Sequence, residues 1–270
     1  MKYSLYLICI IFLIIQKSAF SEAPPKKIDL TAFPGQIVEK VVVPIPAEVF
    51  AVLDKVGEPD WKSGITHIET DFRTQDRGVI AMSFGSLVAE GFIAVQARSP
   101  DDIRKIGIRS LSIAEALGLE DAVKAHSATV IESAADGKWD EVRAELDSTQ
   151  QTVRDTMSSQ RDQEMAGLVS LGGWLRGTHI LTALIAEDFT TDKAELLNQP
   201  DLVRHFREMV AGLKGSTRST KEMAQIEKGL GRIQALLKDN ESFGLEFVTQ
   251  MNQITKEMLD QFYFEKGKPE

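Results

Sequence analysis

Across residues 77–98 the chain carries one charged side chain, Glu90, between its terminal arginines, and the small residues Ala81, Gly85 and Ala89 recur every four positions. Apolar on all sides, with its small residues on one face, this stretch predicts a helix buried nearly all round that another backbone can approach closely. A second stretch of the same kind follows Met165 and carries Gly172, Gly173 and Gly177 together with Arg176 and His179. Taken alone, the first is long enough to cross a membrane. The mid-helix Arg176 of the second argues against a span, since a central arginine costs about 2.5 kcal/mol or more in lipid. Both are expected to be central helices of a water-soluble core.

The other apolar positions step by three and four, the period of a helix with one buried stripe. Trp139, Val142, Leu146, Thr149, Val153 and Met157 form one such stripe. Met223, Ile226, Leu230, Ile233 and Leu237 form a second, and Phe247, Met251, Ile254, Met258 and Phe262 a third. A leading helix starts with Pro46, buries Val49, Phe50, Leu53 and Val56, and stops at Gly57. Ser99-Pro100-Asp101-Asp102 opens another, with Ser99 as the capping residue and carboxylates against the positive end of the helix dipole. A further helix is expected over residues 120–135.

Two stretches look like copies. Ala81-Met82-Ser83-Phe84-Gly85-Ser86-Leu87-Val88 lies over Leu168-Val169-Ser170-Leu171-Gly172-Gly173-Trp174-Leu175, and Pro100-Asp101-Asp102-Ile103-Arg104 over Pro200-Asp201-Leu202-Val203-Arg204. The expected fold is therefore all-α, with about nine helices in one domain over residues 46–270. Within it, two pseudo-symmetric four-helix repeats would occupy residues 76–159 and 165–264, with antiparallel neighbours.

The proline-rich segment 22–45 has few amides to give a helix and predicts an extended arm laid on the body. Ahead of it, Lys2, an apolar run over residues 5–15 and Ser18-Ala19-Phe20-Ser21 have the form of a secretory signal peptide ending at Ser21. The run is too short for a membrane anchor. Cys9, preceded by Ile8, does not suit a lipidation site. The expected location is secreted or periplasmic.

Removing residues 1–21 takes away the only cysteine, so the mature chain holds neither disulfides nor thiolate metal sites. Loss of Lys2 and Lys17 also moves the formal charge from −9 to −11. Nucleic acid and anionic lipid are poor partners for such a chain.

Candidate chemistry is sparse. Ala81-Met82-Ser83-Phe84-Gly85 resembles a nucleophile elbow, with His126, His179 and His205 downstream as bases, but an elbow joins a strand to a helix and this serine falls inside one helix. His67-Ile68-Glu69-Thr70-Asp71 alternates three metal-ligating residue types without a fourth nearby, and reads as a solvated loop. Gly229-Leu230-Gly231 follows no strand and is no phosphate loop. Asn240-Glu241-Ser242 is a formal glycosylation sequon. Catalytic residues, metal ligands and cofactors are thus not assigned.

What remains are packing positions, Ala81, Gly85, Ala89, Gly172, Gly173 and Gly177, and one charge pair. When the copies are overlaid Arg176 matches Ala89 and Glu90 matches Gly177. Central helices packed about a pseudo-twofold axis would then bring Glu90 and Arg176 together as a buried ion pair, offsetting the large cost of burying either alone. The expected function is an exported, non-enzymatic helical interaction or scaffold protein with a protein partner. A carrier of an apolar small molecule between the central helices and an enzyme with an unfamiliar site are the alternatives.

Overall fold

The computed structural model describes residues 46–66, 74–239 and 243–264. The signal segment 1–21, the arm 22–45, the 67–71 motif and the sequon at 240–242 lie outside the described residues. Among the described residues there is no strand. Nine helices have eleven residues or more: α1 (Pro46–Val56), α2 (Arg77–Gln96), α3 (Pro100–Leu117), α4 (Glu120–Ala135), α5 (Trp139–Ser159), α6 (Gln163–Glu187), then, past the short α7 (Thr191–Glu195), α8 (Pro200–Gly212), and, past the short α9 (Gly215–Arg218), α10 (Lys221–Asp239) and α11 (Leu245–Leu259). A 3-10 turn (Trp61–Gly64) follows α1, and a π turn (Asp260–Phe264) extends α11.

One device makes the four connections between α2 and α6 tight. Each of α2 to α5 ends in a left-handed residue, with the next amide reaching back to a carbonyl five residues earlier: Ser99 to Ala94, Leu119 to Ala114, Lys138 to Ser133 and Asp162 to Met157, at 2.9–3.1 Å. Gly118 and Gly137 take the left-handed position without steric cost, whereas Arg98 and Arg161 take it with φ of 47° and 56°. Short connections of this kind reverse the chain at every step. With three helices between them, α2 and α6 therefore run in the same direction.

The contacts agree with that. Arg77 meets Asp162 at 2.5 Å, the Ser86 hydroxyl donates to the Gly172 carbonyl at 3.0 Å, and Arg176 meets Glu90 at 2.8 Å, so the numbering rises along both helices together. The expectation of antiparallel neighbours holds for consecutive helices and for α6 with α11, where His179 faces Thr255 and Thr182 faces Asn252. It fails for the central pair.

The two helices touch through backbone. A Cβ built on Gly85 would overlap the Val169 carbonyl and lie 2.9 Å from the Gly173 nitrogen; one on Gly172 would overlap the Met82 carbonyl and lie 2.7 Å from Met82 Cα. Gly173 approaches the Gly85 carbonyl, Ala81 is fully buried and Ala89 is buried. Gly177 differs from the expectation: its missing side chain would meet nothing within 4 Å, because it points away from the seam.

Around this pair α3 packs along α2, α4 joins α3 to α5, α11 packs along α6, and α10 lies against α8 and α11. The stripes of α10 and α11 are buried throughout, whereas on α5 only Val142 and Met157 are fully covered and Trp139, Leu146 and Val153 stay half-buried. On α1, Phe50, Leu53 and Val56 are buried and Val49 is half-buried. Arg143 of α5 fastens that helix, stacking 4.4 Å from the Phe50 ring and donating to both Asp54 oxygens. Ser99 departs from its expected capping role, donating instead to Asp102 at 2.6 Å.

The pair of four-helix repeats is not confirmed. Gly85 on Val169 and Gly172 on Met82 are exchanged contacts, as a local twofold relation requires, but α2 packs along α3 and only lightly on α5, while α6 packs along α11 and only lightly on α8.

Gly85→Ala and Gly172→Ala should each destabilise by about 1–3 kcal/mol or more, because the seam has no room for a methyl group. Gly177→Ala, in open space inside a helix, should stabilise by roughly 0.5–1 kcal/mol. Chemical denaturation of the three variants measures both signs.

Candidate functional site

Five residues beyond the glycine at 85 and four beyond that at 172, the narrowed seam sets Glu90 and Arg176 level with each other. Their side chains are 1% and 2% exposed. Arg176 Nε and Nη2 both donate to Glu90 Oε1, at 3.0 and 2.8 Å, and Nη2 also faces the Gly64 carbonyl and Thr66 Oγ1, each at 2.8 Å. The Phe264 ring lies 5.2 Å from the guanidinium carbon, close enough for a cation–π contact. Arg176 thus ties together four parts of the chain: α6, α2, the turn after α1 and the π turn after α11.

Burial pushes the Glu90 carboxyl above its ordinary range, and the Arg176 charge and hydrogen bonds oppose that rise. Tyr263 is buried beside it. Burial, and then the nearby Glu90 charge, push the phenol well up, so it stays protonated, with its hydroxyl set as a donor beside the Glu90 carboxylate.

One turn along α6, His179 extends the polar cluster toward α11. Asn252 Nδ2 lies 3.2 Å from His179 Nδ1, 3.0 Å from the His179 carbonyl and 2.9 Å from Thr182 Oγ1. An amide donor at Nδ1 requires that nitrogen to accept, which fixes a neutral imidazole with its proton on Nε2. Burial and then the Arg176 charge lower the His179 pKa to about 4. Phe264 contacts this ring too, edge-on at 5.6 Å.

The remaining candidates are dispersed. Ser83 lies inside α2 and its hydroxyl donates to the Phe262 carbonyl at 3.3 Å, while Ser170 donates to Ala166 one turn back. His126 ties α4 to α5, with Nδ1 2.6 Å from Glu145 and Nε2 2.9 Å from Thr152. His205 has a buried Nε2 without a partner, and burial lowers its pKa. Gly229 and Gly231 lie in α10, where a Cβ on Gly229 would meet the Met258 side chain. Among the described residues no three His, Cys, Asp or Glu side chains converge as a metal site would require.

Sequence reasoning missed Gly64, Thr66, Tyr263 and Phe264 as members of the cluster. The aromatic run Phe262-Tyr263-Phe264 is the one signal that pointed there, since consecutive aromatics overrun a helical stripe. In the π turn Phe262 and Tyr263 both turn inward.

No family model, curated protein or solved structure matches this chain. By length and composition α2 and α6 could each cross a membrane, but most of each is buried against the surrounding helices.

Arg176→Met and Glu90→Leu should each destabilise by about 3–5 kcal/mol by stranding a buried charge, and the double variant by much less than the sum. A double-mutant cycle in urea reads the coupling directly. His179 gives a pH dependence with a definite sign. Its folded pKa lies below the unfolded 6.5, so between pH 6.5 and 4 the unfolded chain takes up a proton that the folded one refuses. Stability from this group is complete above pH 6.5, is lost as pH falls toward 4, and changes no further below it, about 3 kcal/mol in all. The difference in unfolding free energy between wild type and His179→Gln, measured from pH 7 to 4, should shrink by roughly that amount.

Proposed function

We propose that the protein is an exported, non-enzymatic helical interaction or scaffold protein whose working surface is the outside of its bundle. The observation that supports this reading is the closure of the charge cluster: Glu90 and Arg176 are sealed by α2, α6, the turn at Gly64 and the π turn, with their hydrogen bonds spent on one another and on backbone. Groups that are fully enclosed hold the fold and meet no substrate. The two serines that lend the sequence its elbow-like look are likewise bonded to main-chain carbonyls. Export rests on the N-terminal sequence pattern, and the acidic mature chain favours a protein partner over nucleic acid.

The carrier alternative has less support. At Gly85 and Gly172 the backbones of α2 and α6 are in contact, leaving no space there for an apolar guest. Two depressions lie on the surface, one of about 550 Å³ between α8 and α10, lined by Pro200, Arg204, Gly231 and Gln234 among others, and one of about 490 Å³ around Trp61 and Arg98.

Native mass spectrometry of the protein purified from its own host tests the reading. The expected outcome is a chain starting within a few residues of Glu22, in a stoichiometric complex with another protein that reassembles from the purified components. A chain that still carries residues 5–15 would remove export. A retained small molecule at one per chain, with no protein partner, would replace the scaffold with the carrier.

A further inference from the structure

Charge is unevenly spread over the two flanks of the bundle. Across α4 and α5, residues 120–159, nine carboxylates stand against four lysines and arginines, a net of −5; across α8 to α10, residues 200–239, five stand against eight, a net of +3 on a chain whose overall charge is −9. The two groups have different neighbours: α4 and α5 pack on each other, on α3 and on α1, whereas α10 packs on α8 and α11. The depression of about 550 Å³ lies on the basic flank. Gly231, Gln234, Ala235 and Lys238 present one face of α10 to it, and Pro200 and Arg204 one face of α8. Its floor is low because Gly231 has no side chain. A Cβ there would meet nothing within 4 Å, whereas one on Gly229 would meet Met258. A mid-helix glycine costs stability relative to alanine, and inner packing accounts for Gly229 but not for Gly231. Arg204 pairs with Asp201 at 2.7 Å, but both side chains are more than half exposed, so water screens the pair and leaves the guanidinium open to a second carboxylate.

On the acidic flank, α5 turns Asp140, Ala144, Ser148, Gln151 and Asp155 outward, all exposed and three or four positions apart. Short side chains and two carboxylates make this face the counterpart, in relief and in charge, of a shallow basic groove. From this polarity we infer that the groove between α8 and α10 receives the outer face of α5 from a second copy of the chain. The two surfaces differ and each copy carries both, so the contact is head-to-tail and builds open chains or rings, not a twofold dimer. The net negative charge of the chain opposes association. At about 0.15 M salt, however, charges more than about 8 Å apart are largely screened, and the opposite charges in contact outweigh the distant like ones. One helix laid in a groove covers less than the roughly 800 Å² per partner of a standard interface, which makes the association weak and dependent on concentration. The inference goes beyond the scaffold reading and does not depend on it, since a carrier with these two flanks would associate in the same way.

Sedimentation of the purified full chain, from about 10 µM to about 1 mM at about 0.15 M salt, tests this. The weight-average mass should climb past that of a dimer as concentration rises, and return toward the monomer at about 1 M salt. Arg204→Glu with Lys238→Glu should weaken association by about tenfold or more, and so should Asp140→Lys with Asp155→Lys, because each sets like charges against each other. All four positions are exposed, so the unfolding midpoint of either variant should stay that of the wild type. Mixing the two variants should restore the association that each has lost, since each then meets opposite charge on the other. Gly231→Leu fills the groove from open space, and should reduce association without lowering the midpoint. A monomer throughout the range, a dimer that grows no further, a mixture that fails to associate, or association that none of these variants changes would overturn the inference.

Discussion

The backbone contact between α2 and α6 is the constraint on which the rest of this molecule depends. Two helices normally stand 8–10 Å apart, held off by side chains. At Gly85 and Gly172 there are none, and each glycine sits against a carbonyl of the other helix. That approach lets two Arg176 nitrogens reach one Glu90 oxygen, lets Ser86 reach the Gly172 carbonyl, and leaves much of the apolar surface of both helices for α3, α5 and α11 to cover.

The charge pair fixes the register of that contact. A slide of one turn by α6 along α2 would carry Arg176 about 5 Å from Glu90 and leave both ions buried and unpaired. Apolar seams tolerate such slips far better, since one leucine replaces another at similar cost. The pair also gathers segments that belong to no long helix: Gly64 and Thr66 from the turn after α1, and Phe264 from the end of α11. Its neighbour His179 stays neutral beside a permanent positive charge, which keeps the cluster from accumulating like charges in a space that water does not reach.

The parallel course of α2 and α6 is a consequence of turn chemistry. Tight left-handed turns after α2, α3, α4 and α5 each reverse the chain, and the reversals return it to the starting direction at α6. Two of those turns carry arginine where glycine would be easier. Arg98 and Arg161 occupy the strained position because the six-residue hydrogen bond and the helices on either side determine it, a small local cost accepted for a short connection.

By itself the sequence determined the helices. Stripes stepping by three and four, proline at helix starts and glycine at Gly57 are local signals, and local hydrogen bonding obeys them; the absence of a charged residue other than Glu90 and Arg176 along most of the two central helices likewise told which elements lie inside. Whether the N-terminal segment is a signal and an arm is a matter of sequence pattern alone, since the described residues begin at Pro46. The tertiary structure decided what those signals do not encode. Direction is one such property: a small-residue face permits close approach but is the same read from either end, so parallel and antiparallel pairing look alike until the turns are seen. Gly177 continues the glycine run yet faces open space, because its angle about the helix axis, and not its residue type, sets what it meets. Partners far along the chain are another such property. Tyr263 and Phe264 meet Glu90 and Arg176 from a π turn, whose widened hydrogen-bonded ring has no periodic signature in the sequence, and a residue's fit at a helix end depends on what the rest of the bundle places beneath it.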